Sequence, residues 1–286
     1  MNNPIRDVNW RDKSKAVDSL SEYSSSLTVI PLDSGLEAEV ARICLDGTSF
    51  VIKIWNKASK PNVEGQFKLL KALYNRGLSV SEPMGWGMDK DGNPVLLTSF
   101  DGSPIKKVNQ PILISLAKIL SDVHKFPLDR LDGSILYKYD FINYFYPRIE
   151  EHKDIHTLLN QLVERSKIKQ DQLIHGDFNL GNILESEGNY TVIDWTNGQL
   201  GDPRYDIAWS IVLIRIYVGQ RYGAMYHSAC LSENQYTVDE LELFEAIACL
   251  RWILLSRIAD LPKGKETFAR VRSILKQNIH LNENLL

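Results

Sequence analysis

The sequence predicts an α+β fold with a small, strand-rich N-terminal lobe and a larger, mainly helical C-terminal lobe. Three observations support this prediction. Apolar residues mostly alternate over the first hundred positions, which is typical of strands. They recur at helical spacing over most of the chain beyond residue 103. The length of 286 residues suits one chain in two lobes with a cleft between them.

The N-terminal lobe is predicted to contain an antiparallel sheet and one helix. The segments EAEVARICL and TSFVIKIW alternate and are joined by Asp46-Gly47, a strong signal for a two-residue hairpin. The next segment, PNVEGQFKLLKALYNRG, carries apolar residues at helical spacing between Pro61 and Gly77, which indicates a helix. The segments EPMGWGM and PVLLTSF are predicted as further strands.

The lobe boundary is predicted near Thr98 to Gly102, at the end of PVLLTSF. Residues 1–98 would form the N-terminal lobe, 99–102 a hinge and 103–286 the helical lobe. In the helical lobe, periodicity predicts helices at ILISLAKILSDVH, INYFYPRIEEH and HTLLNQLVERSK. Short strands around loops are predicted for QLIHGDF, NILES and YTVIDW, and helices resume beyond Asp202-Pro203.

Composition and charge exclude several classes of protein. The formal net charge of -3 gives no general attraction to nucleic acid or to an anionic membrane. The three cysteines fit neither a disulfide framework nor a zinc site, so we expect a reducing, cytoplasmic location. The longest apolar stretch, Ile207 to Val218, is too short to span a bilayer. No obligate protein partner is evident.

Polar residues cluster among apolar ones in IHGDFNLGNILESEGNYTVIDW. His175, Asp177 and Asn182 have the spacing H-x-D-x-x-x-x-N, and Asp194 ends the following apolar strand. Phosphoryl transfer needs one carboxylate to take the proton of the attacking hydroxyl, and hard oxygen ligands for Mg²⁺. Asp and Asn are also common turn residues, so each one alone favours a structural role. Their combined spacing predicts a kinase-like site.

The segments HGDFNLGNIL and VIDWTNGQLGDPRYDIAW resemble the aminoglycoside phosphotransferase and choline kinase family, which shares the protein-kinase fold. The resemblance is specific over residues 175–209 and implies a protein-kinase-like bilobal fold. It implies ATP or GTP and Mg²⁺ as cofactors and Asp177 as the catalytic base. It also implies Asn182 and Asp194 as magnesium ligands, with His175 supporting the catalytic loop.

The resemblance also assigns nucleotide-binding residues in the N-terminal lobe. Lys53, in the strand VIKIW, would contact the α- and β-phosphates. The segment DSGLEAEV, which contains Ser34 and Gly35, would cover the phosphates, although it lacks the G-x-G-x-x-G pattern. The hinge residues expected to pair with adenine through backbone groups are Thr98, Ser99 and Phe100.

The partner of the strand lysine differs from the family pattern. This family normally has a glutamate on the N-terminal helix, but helical spacing places Gln66 on the inward face of that helix. Glu64 lies off that face. Either Gln66 replaces the charged partner with a neutral amide, or the helix register differs and Glu64 pairs with Lys53.

Two further carboxylates are expected to support the active-site loop. Asp202 followed by Pro203 is typical of a helix N-cap with proline at the first helical position. Asp206 would then lie in the first turn, where the helix dipole favours a negative charge. His124 is expected to pack between helices rather than to bind a metal.

The acceptor is expected to be a cationic small molecule, an aminoglycoside-type antibiotic. The segment HSACLSENQYTVDELELFE lacks Lys and Arg and would lie near the acceptor mouth, where it would concentrate cations. Its acids are Glu233, Asp239, Glu240, Glu242 and Glu245. Six aromatic residues between Tyr137 and Tyr146 could offer ring faces to sugars or cations. The acidic residues are also typical of a solvated helix face, and the aromatic residues are also typical of a core.

Other functions stay open. The acceptor could be a macrolide, a choline-like alcohol, a sugar or a nucleoside. A protein kinase is disfavoured, because there is no A-P-E motif and Asp202 follows Asp194 by only eight positions. A kinase-fold binding module without turnover is the alternative of a different class. The weak phosphate loop and Gln66 favour it, whereas Lys53 and the intact H-x-D-x-x-x-x-N pattern oppose it.

Overall fold

The computed structural model describes residues 4–23, 26–32, 38–59, 61–130, 133 and 135–286. Contacts between Cα atoms divide the chain into two units. The first comprises Met1–Ser103 and Leu184–Thr196, and the second comprises Pro104–Ile183 and Asn197–Leu286. Residues 184–196 therefore group with the N-terminal part of the chain, which chain order alone does not indicate. The division into lobes at residues 98–102 stays a prediction.

The first unit contains a six-stranded antiparallel sheet with the spatial order β1-β5-β6-β4-β3-β2. Its strands are β1 (Asn9–Lys13), β2 (Thr28–Pro31), β3 (Ala38–Leu45), β4 (Thr48–Trp55), β5 (Pro83–Met88) and β6 (Pro94–Ser99). Two helices accompany it, α1 (Lys15–Glu22) and α2 (Val63–Tyr74). The sequence predicted α2 but missed α1, because only Val17 and Leu20 are buried in that short polar helix.

The hairpin at Asp46-Gly47 is confirmed. These two residues connect β3 to β4, and Leu45 is the register partner of Thr48. Their φ angles are +48° and +81°, as a two-residue turn of this hand requires. The central strands β4 and β6 bury Ile52, Val95 and Leu97 in one core cluster of this unit.

Two small sheets and seven helices follow among the described residues from 103 onward. The sheets have the orders β10-β9-β7 and β11-β8. Their strands are β7 (Ser103–Pro104), β8 (Gln172–Ile174), β9 (Ile183–Ser186), β10 (Asn189–Val192) and β11 (Gln199–Gly201). The helices are α3 (Gln110–His124), α4 (Phe141–Phe145), α5 (Lys153–Ser166), α6 (Pro203–Tyr217), α7 (Gln220–Glu233), α8 (Val238–Ile258) and α9 (Thr267–Gln277).

The core of the second unit forms around α6. This helix packs against α7, α8 and α9, and it is buried on almost all sides. That explains the apolar stretch at residues 207–218, since a helix enclosed by other helices needs no polar face. Within the described part of the chain, no helix is both long enough and apolar enough to cross a bilayer. The predicted α+β architecture is confirmed.

One predicted helix is largely wrong. The segment INYFYPRIEEH has helical periodicity, but α4 ends at Phe145 after five residues. Pro147 lacks a backbone N–H, and Arg148 adopts a left-handed φ of +60°, so an α-helix cannot continue. Helical structure of normal length resumes only with α5 at Lys153.

Candidate active site

Asp177 lies in the loop between β8 and β9, and its carboxylate is oriented by two side chains. The indole Nε1 of Trp209, on α6, donates to Oδ1 at 2.7 Å. The amide Nδ2 of Asn182 donates to Oδ2 at 3.3 Å and to the Asp177 carbonyl oxygen at 3.0 Å. Hydrogen bonds to a carboxylate are stronger than those between neutral groups. The geometry therefore holds this carboxylate in one orientation.

The loop after Asp177 is closed by its own amide side chains. Asn179 Nδ2 donates to the Asp177 carbonyl oxygen at 2.9 Å. Its Oδ1 accepts from the backbone N–H of Gly181 at 2.8 Å. These local bonds explain the sequence pattern, since Asn stabilises tight turns by bonding to nearby backbone groups.

The backbone before Asp177 is held from α6. Oδ2 of the fully buried Asp206 accepts from the backbone N–H of His175 at 2.8 Å, and Oδ1 accepts from that of Gly176 at 2.9 Å. Nε2 of the buried His124 lies 3.1 Å from Asp206 Oδ2. The buried His175 accepts from the backbone N–H of Asp177 through Nδ1 at 3.2 Å. His124 is thus a hydrogen-bonding residue as well as a packing residue.

The environment of Asp206 favours its charged form. Burial alone would raise the pKa of this carboxyl group. The hydrogen bond and charge interaction with His124, the charge interaction with His175 and the backbone N–H of His175 outweigh burial and lower the pKa below its ordinary value. The carboxylate is therefore a charged structural support for the loop.

Position 176 requires a glycine, because of its backbone conformation and its close neighbours. Its φ is +77°, a region that L side chains rarely adopt. A Cβ atom at this position would lie 2.7 Å from the carbonyl oxygen of Asn197. Glycine therefore allows the close approach of backbone that places Asp177.

A buried arginine, which sequence reasoning missed, also holds this loop. Nη1 of Arg251, on α8, donates to the Gly176 carbonyl oxygen at 3.0 Å and to the Tyr205 hydroxyl at 3.2 Å. Its guanidinium lies 4.2 Å from the ring centroid of Trp209 and 4.7 Å from that of Phe145. Burial would lower the pKa of Arg251, but the charge interactions with Tyr205 and Asp177 raise it. Such a contact between distant segments leaves no local sequence signal.

Asp202 caps α6, as its sequence context predicts. The helix begins at Pro203, and the Asp202 side chain accepts from the backbone N–H of Arg204 at 3.0 Å. It also accepts from the Arg204 guanidinium at 2.7 Å and from the backbone N–H of Lys169 at 2.9 Å. These contacts fix the start of the helix that carries Asp206 and Trp209.

In the first unit, Lys53 and Asp194 lie close together. Nζ of Lys53, on β4, is 3.7 Å from Oδ1 of Asp194. Asp194 follows β10, and its φ is +63°, an uncommon conformation for a residue other than glycine. The hydroxyl of Thr196 donates to the same Oδ1 at 2.8 Å. The structure thus brings together two residues that the sequence assigned to the phosphates and to a metal.

The structure pairs Glu64 with a residue other than Lys53. Oε1 of Glu64 lies 2.7 Å from Nζ of Lys68, one turn further along α2, and both side chains are about half exposed. Gln66 is only partly exposed, on the same helix. Among the described residues, the ion pair of Lys53 is with Asp194. A pairing of Glu64 with Lys53 is not seen among the described residues, and the choice between Gln66 and Glu64 stays a prediction.

The predicted hinge residues already use some of their backbone donors. The N–H of Ser99 donates to the Glu82 carbonyl oxygen at 2.9 Å, and that of Phe100 donates to the Ser49 carbonyl oxygen at 3.2 Å. The Thr98 hydroxyl donates to the Ser99 carbonyl oxygen at 3.2 Å. Pairing of adenine with these residues stays a prediction, and it would have to use groups other than these two engaged N–H groups. The predicted phosphate loop with Ser34 and Gly35 lies outside the described residues.

The predicted magnesium ligands offer suitable oxygen donors. Because Nδ2 of Asn182 donates to Asp177, the amide oxygen of Asn182 is directed away from that carboxylate. Asp194 has a side chain that is 44% exposed, with a second carboxylate oxygen besides the one near Lys53. Mg²⁺ is commonly held by one or two protein oxygens together with substrate phosphates and waters. No cluster of three or more His, Cys, Asp or Glu suited to a metal occurs in the described ranges, and Mg²⁺ does not need one.

A cavity of about 480 Å³ lies beside Asp177, entirely within the second unit. It is bounded by the loop between β8 and β9, by one side of α6 and by one side of α8. Its lining residues are Asp177, Asn179, Leu180, Gly181, Trp209, Leu213, Ile214, Tyr217, Val218, Arg251, Trp252, Leu255, Leu261 and Pro262. A compound bound there would have the predicted catalytic base in its wall.

The acidic residues at 233–245 are not among the lining residues of this cavity. Glu240 completes a capping box with Thr237, and Arg204 lies 3.3 Å from it. Glu245 is buried and forms an ion pair with Arg215. These carboxylates are therefore engaged in the structure of α8 and its neighbours.

The aromatic segment at 137–146 is also outside the lining. Phe141, Phe145 and Tyr146 are buried in the core. Tyr137 and Tyr139 are exposed and stack on each other with a centroid distance of 5.8 Å. Three of the six aromatic rings thus pack in the core, and two are exposed at the surface.

The sequence of the chain is similar to that of one protein family. A model described as the phosphotransferase enzyme family matches residues 28–240, which is most of the chain. No curated protein matches.

Solved structures share the fold over almost the whole chain. The amicoumacin kinase hAmiN in complex with AMP-PNP, Ca²⁺ and Ami is 15% identical, with 91% of this chain and 92% of that chain covered and a TM-score of 0.67. The GDP and kanamycin complex of APH(2")-IIia is 15% identical, with 92% and 97% covered and a TM-score of 0.62. The choline kinase LicA from Streptococcus pneumoniae is 16% identical, with 92% and 98% covered and a TM-score of 0.63. At such identities the likeness shows the fold alone.

Proposed function

The chain belongs to the phosphotransferase enzyme family, and on that premise we propose that it transfers the γ-phosphate of ATP or GTP to a hydroxyl group of a small molecule. The observation that carries this proposal is the carboxylate of Asp177. Two side chains orient it, and it stands in the wall of a cavity large enough for a small acceptor. A general base must lie within reach of the hydroxyl whose proton it takes.

The proposed reaction is a displacement at the γ-phosphorus. The acceptor oxygen attacks the γ-phosphorus, and Asp177 takes the hydroxyl proton. The bond from the γ-phosphorus to the bridging oxygen breaks, and the nucleoside diphosphate leaves. Asn182 fixes the Asp177 carboxylate from one side and Trp209 from the other, so little reorientation is needed before proton transfer.

The remaining predicted residues would serve the nucleotide. Lys53 would contact the α- and β-phosphates once they compete with Asp194 for its ammonium group. Asn182 and Asp194 would hold Mg²⁺, which when bound neutralises charge on the phosphates. The hinge at Thr98 to Phe100 would seat the adenine. A cytoplasmic location agrees with the three free cysteines and with the supply of nucleotide.

An aminoglycoside-type antibiotic, and with it a role in resistance, is one candidate acceptor. The acidic segment in the sequence and the likeness of the fold to the kanamycin complex named above support it. Against it, two of these acids are used for a cap and a buried ion pair, and none lies in the lining of the cavity beside Asp177. Charge therefore does not favour this candidate.

The substitution Asp177→Asn tests the proposed function. It should lower kcat by about 10²–10⁴-fold while the fold survives, because the general base is lost and the shape is kept. Asp239→Asn, an exposed acid on α8, is the matched control and should leave kcat unchanged. Nucleotide consumption across a panel of hydroxyl compounds is the measurement. A kinase-fold binding module would bind nucleotide but would not consume it in response to any acceptor. Near-normal turnover by Asp177→Asn would contradict the assignment of Asp177 as the base.

A further inference from the structure

We infer, on the basis of the proposed function, that the acceptor is an uncharged alcohol with an apolar body, bound in the cavity beside Asp177. This goes further than the family, because it specifies the part of the acceptor that does not react. Four properties of the cavity support it: its size, the chemistry of its walls, the engagement of its polar groups and its balance of charge.

The size fits a compound larger than a simple polyol. The volume of about 480 Å³ lies within the range of roughly 300–1,000 Å³ that is common for small-molecule sites. The catalytic loop contributes Asp177, so the reacting hydroxyl would point towards that carboxylate. The rest of the molecule would then contact the walls formed by α6 and α8.

The walls are mainly apolar. Side chains on one side of α6 and one side of α8 supply most of the surface, and a short segment after α8 adds more. The apolar and aromatic lining residues on these walls are Trp209, Leu213, Ile214, Tyr217, Val218, Trp252, Leu255, Leu261 and Pro262. Burial of apolar surface is favourable in water, so an apolar body would supply most of the affinity.

The polar groups of the aromatic lining are already bonded within the protein. Trp209 Nε1 donates to Asp177 at 2.7 Å, and Trp252 Nε1 donates to the Tyr217 hydroxyl at 3.0 Å. Nη1 of Arg251 donates to Gly176 and to another tyrosine hydroxyl. A ligand therefore meets ring faces and ring edges rather than free indole N–H groups. The Tyr217 hydroxyl accepts from Trp252 and keeps its own O–H, and the buried Nε of Arg251 has no partner among the described residues. A compound rich in hydroxyl and amino groups would replace few of the hydrogen bonds that it loses to water.

The charges of the lining cancel. Asp177 and Arg251 are its charged residues, one of each sign. The buried guanidinium stacks over Trp209 at 4.2 Å and so occupies a ring that could otherwise attract a cation. A polycation would be attracted by a single carboxylate and repelled by the guanidinium. An uncharged body incurs neither the repulsion nor the loss of hydration.

The test is a binding series on the enzyme loaded with a non-hydrolysable ATP analogue and Mg²⁺. The probes are neutral phenylalkanols of increasing chain length, choline, kanamycin and glucose. We expect affinity to rise along the phenylalkanol series and to be insensitive to salt, because apolar contact is not screened. Kanamycin should bind more weakly than the longer phenylalkanols, and its binding should fall as salt rises.

A matched pair of variants on α8 locates the binding site. Leu255 is partly buried in the cavity wall, whereas Val238 is 54% exposed on the same helix, outside the lining. Leu255→Asp should weaken phenylalkanol binding by at least about tenfold, because a carboxylate replaces apolar contacts. Val238→Asp should leave it unchanged. If Leu255→Asp does not fold, Leu261→Asp, in the segment after α8, makes the same test.

The outcomes separate this inference from the proposed function. Tightest binding by kanamycin, choline or glucose, failure of every phenylalkanol to bind, or wild-type affinity in Leu255→Asp or Leu261→Asp would overturn the apolar-acceptor inference. Release of nucleoside diphosphate from ATP, measured with the same compounds, reports on the function. Phenylalkanols could bind without causing release of nucleoside diphosphate, and Asp177→Asn could leave the rate of that release unchanged. These two results together would support the binding site and contradict the phosphotransfer.

Discussion

The indole N–H of Trp209 donates a hydrogen bond to Asp177 Oδ1 at 2.7 Å, across 32 residues of the chain. This contact joins the loop after β8 to α6. The same indole faces the cavity and is stacked on the buried guanidinium of Arg251. Trp209 therefore connects the orientation of the proposed base with the wall of the proposed acceptor site.

Trp209→Phe should lower kcat by about 10–100-fold, because a hydrogen bond to a charged group contributes roughly 1.5–3 kcal/mol. Phenylalanine keeps an aromatic wall but cannot orient Asp177. Trp252→Phe is the matched control, since it removes an indole from the same cavity without touching Asp177. That control should change KM for the acceptor more than kcat. Steady-state kinetics measure both, and equal kcat values for the two variants would argue against a positioning role.

Asp194→Ala should weaken nucleotide binding in the presence of Mg²⁺ much more than in its absence. The reason is the loss of a hard oxygen ligand next to Lys53. Calorimetry with and without Mg²⁺ measures the effect. Asp12→Ala removes an exposed acid that pairs with Lys71 in the same unit, and it should change neither value. Equal losses under the two conditions would contradict a metal-binding role.

Glu64→Ala should leave nucleotide affinity at the wild-type value. Its ion pair with Lys68 is half exposed, so the loss should cost no more than about 0.5 kcal/mol in unfolding free energy. Gln66→Glu should be tolerated or should raise activity if residue 66 faces Lys53, and Gln66→Leu should then impair nucleotide affinity. Nucleotide titrations of the three variants decide between the two positions. A damaging Glu64→Ala would mean that the pairing on α2 changes when nucleotide binds.

Asp206→Asn should destabilise the protein by about 1–3 kcal/mol at neutral pH, because an amide cannot accept from both backbone N–H groups that the carboxylate holds. Chemical denaturation measures this difference. Activity should fall as well, since the loop that carries Asp177 loses its support.

The charge of Asp206 also predicts how the stability difference between wild type and Asp206→Asn depends on pH. The pKa of Asp206 is lower in the folded protein than in the unfolded chain. Its stabilising contribution is therefore fully present above the unfolded pKa, about 4, and is lost as pH falls through the folded pKa. The stability difference between wild type and Asp206→Asn should shrink below about pH 4. A difference that stays constant down to the lowest pH would contradict the charged role of Asp206.

Local sequence patterns predicted those features that depend on neighbouring residues. The hairpin at Asp46-Gly47 follows from turn chemistry, because few dipeptides accept two positive φ angles. The start of α6 follows from Asp202 and Pro203, which cap and open a helix by their own geometry. The H-x-D-x-x-x-x-N spacing indicated the loop in which Asn182 contacts Asp177, five positions away.

Patterns of apolar and acidic residues were less reliable where two different structures give the same pattern. The segment INYFYPRIEEH has helical spacing, yet Pro147 and the left-handed Arg148 interrupt it. The acids at 233–245 resemble a charged cleft in the sequence, but Glu245 is buried against Arg215 and Glu240 caps a helix. Periodicity reports which face of a helix is polar, but not what that face contacts.

The sequence by itself therefore determined the fold class, the family and the loop that carries Asp177. Tertiary structure alone decided what holds that loop and what surrounds it: Trp209 on Asp177, Arg251 on Gly176 across 75 residues, and His124 on Asp206 across 82. The physical reason is that turn, cap and periodicity rules act over a few residues along the chain. Contacts between α3, α6 and α8 arise only when whole helices pack, and nothing in the spacing of a sequence records which side chains then meet.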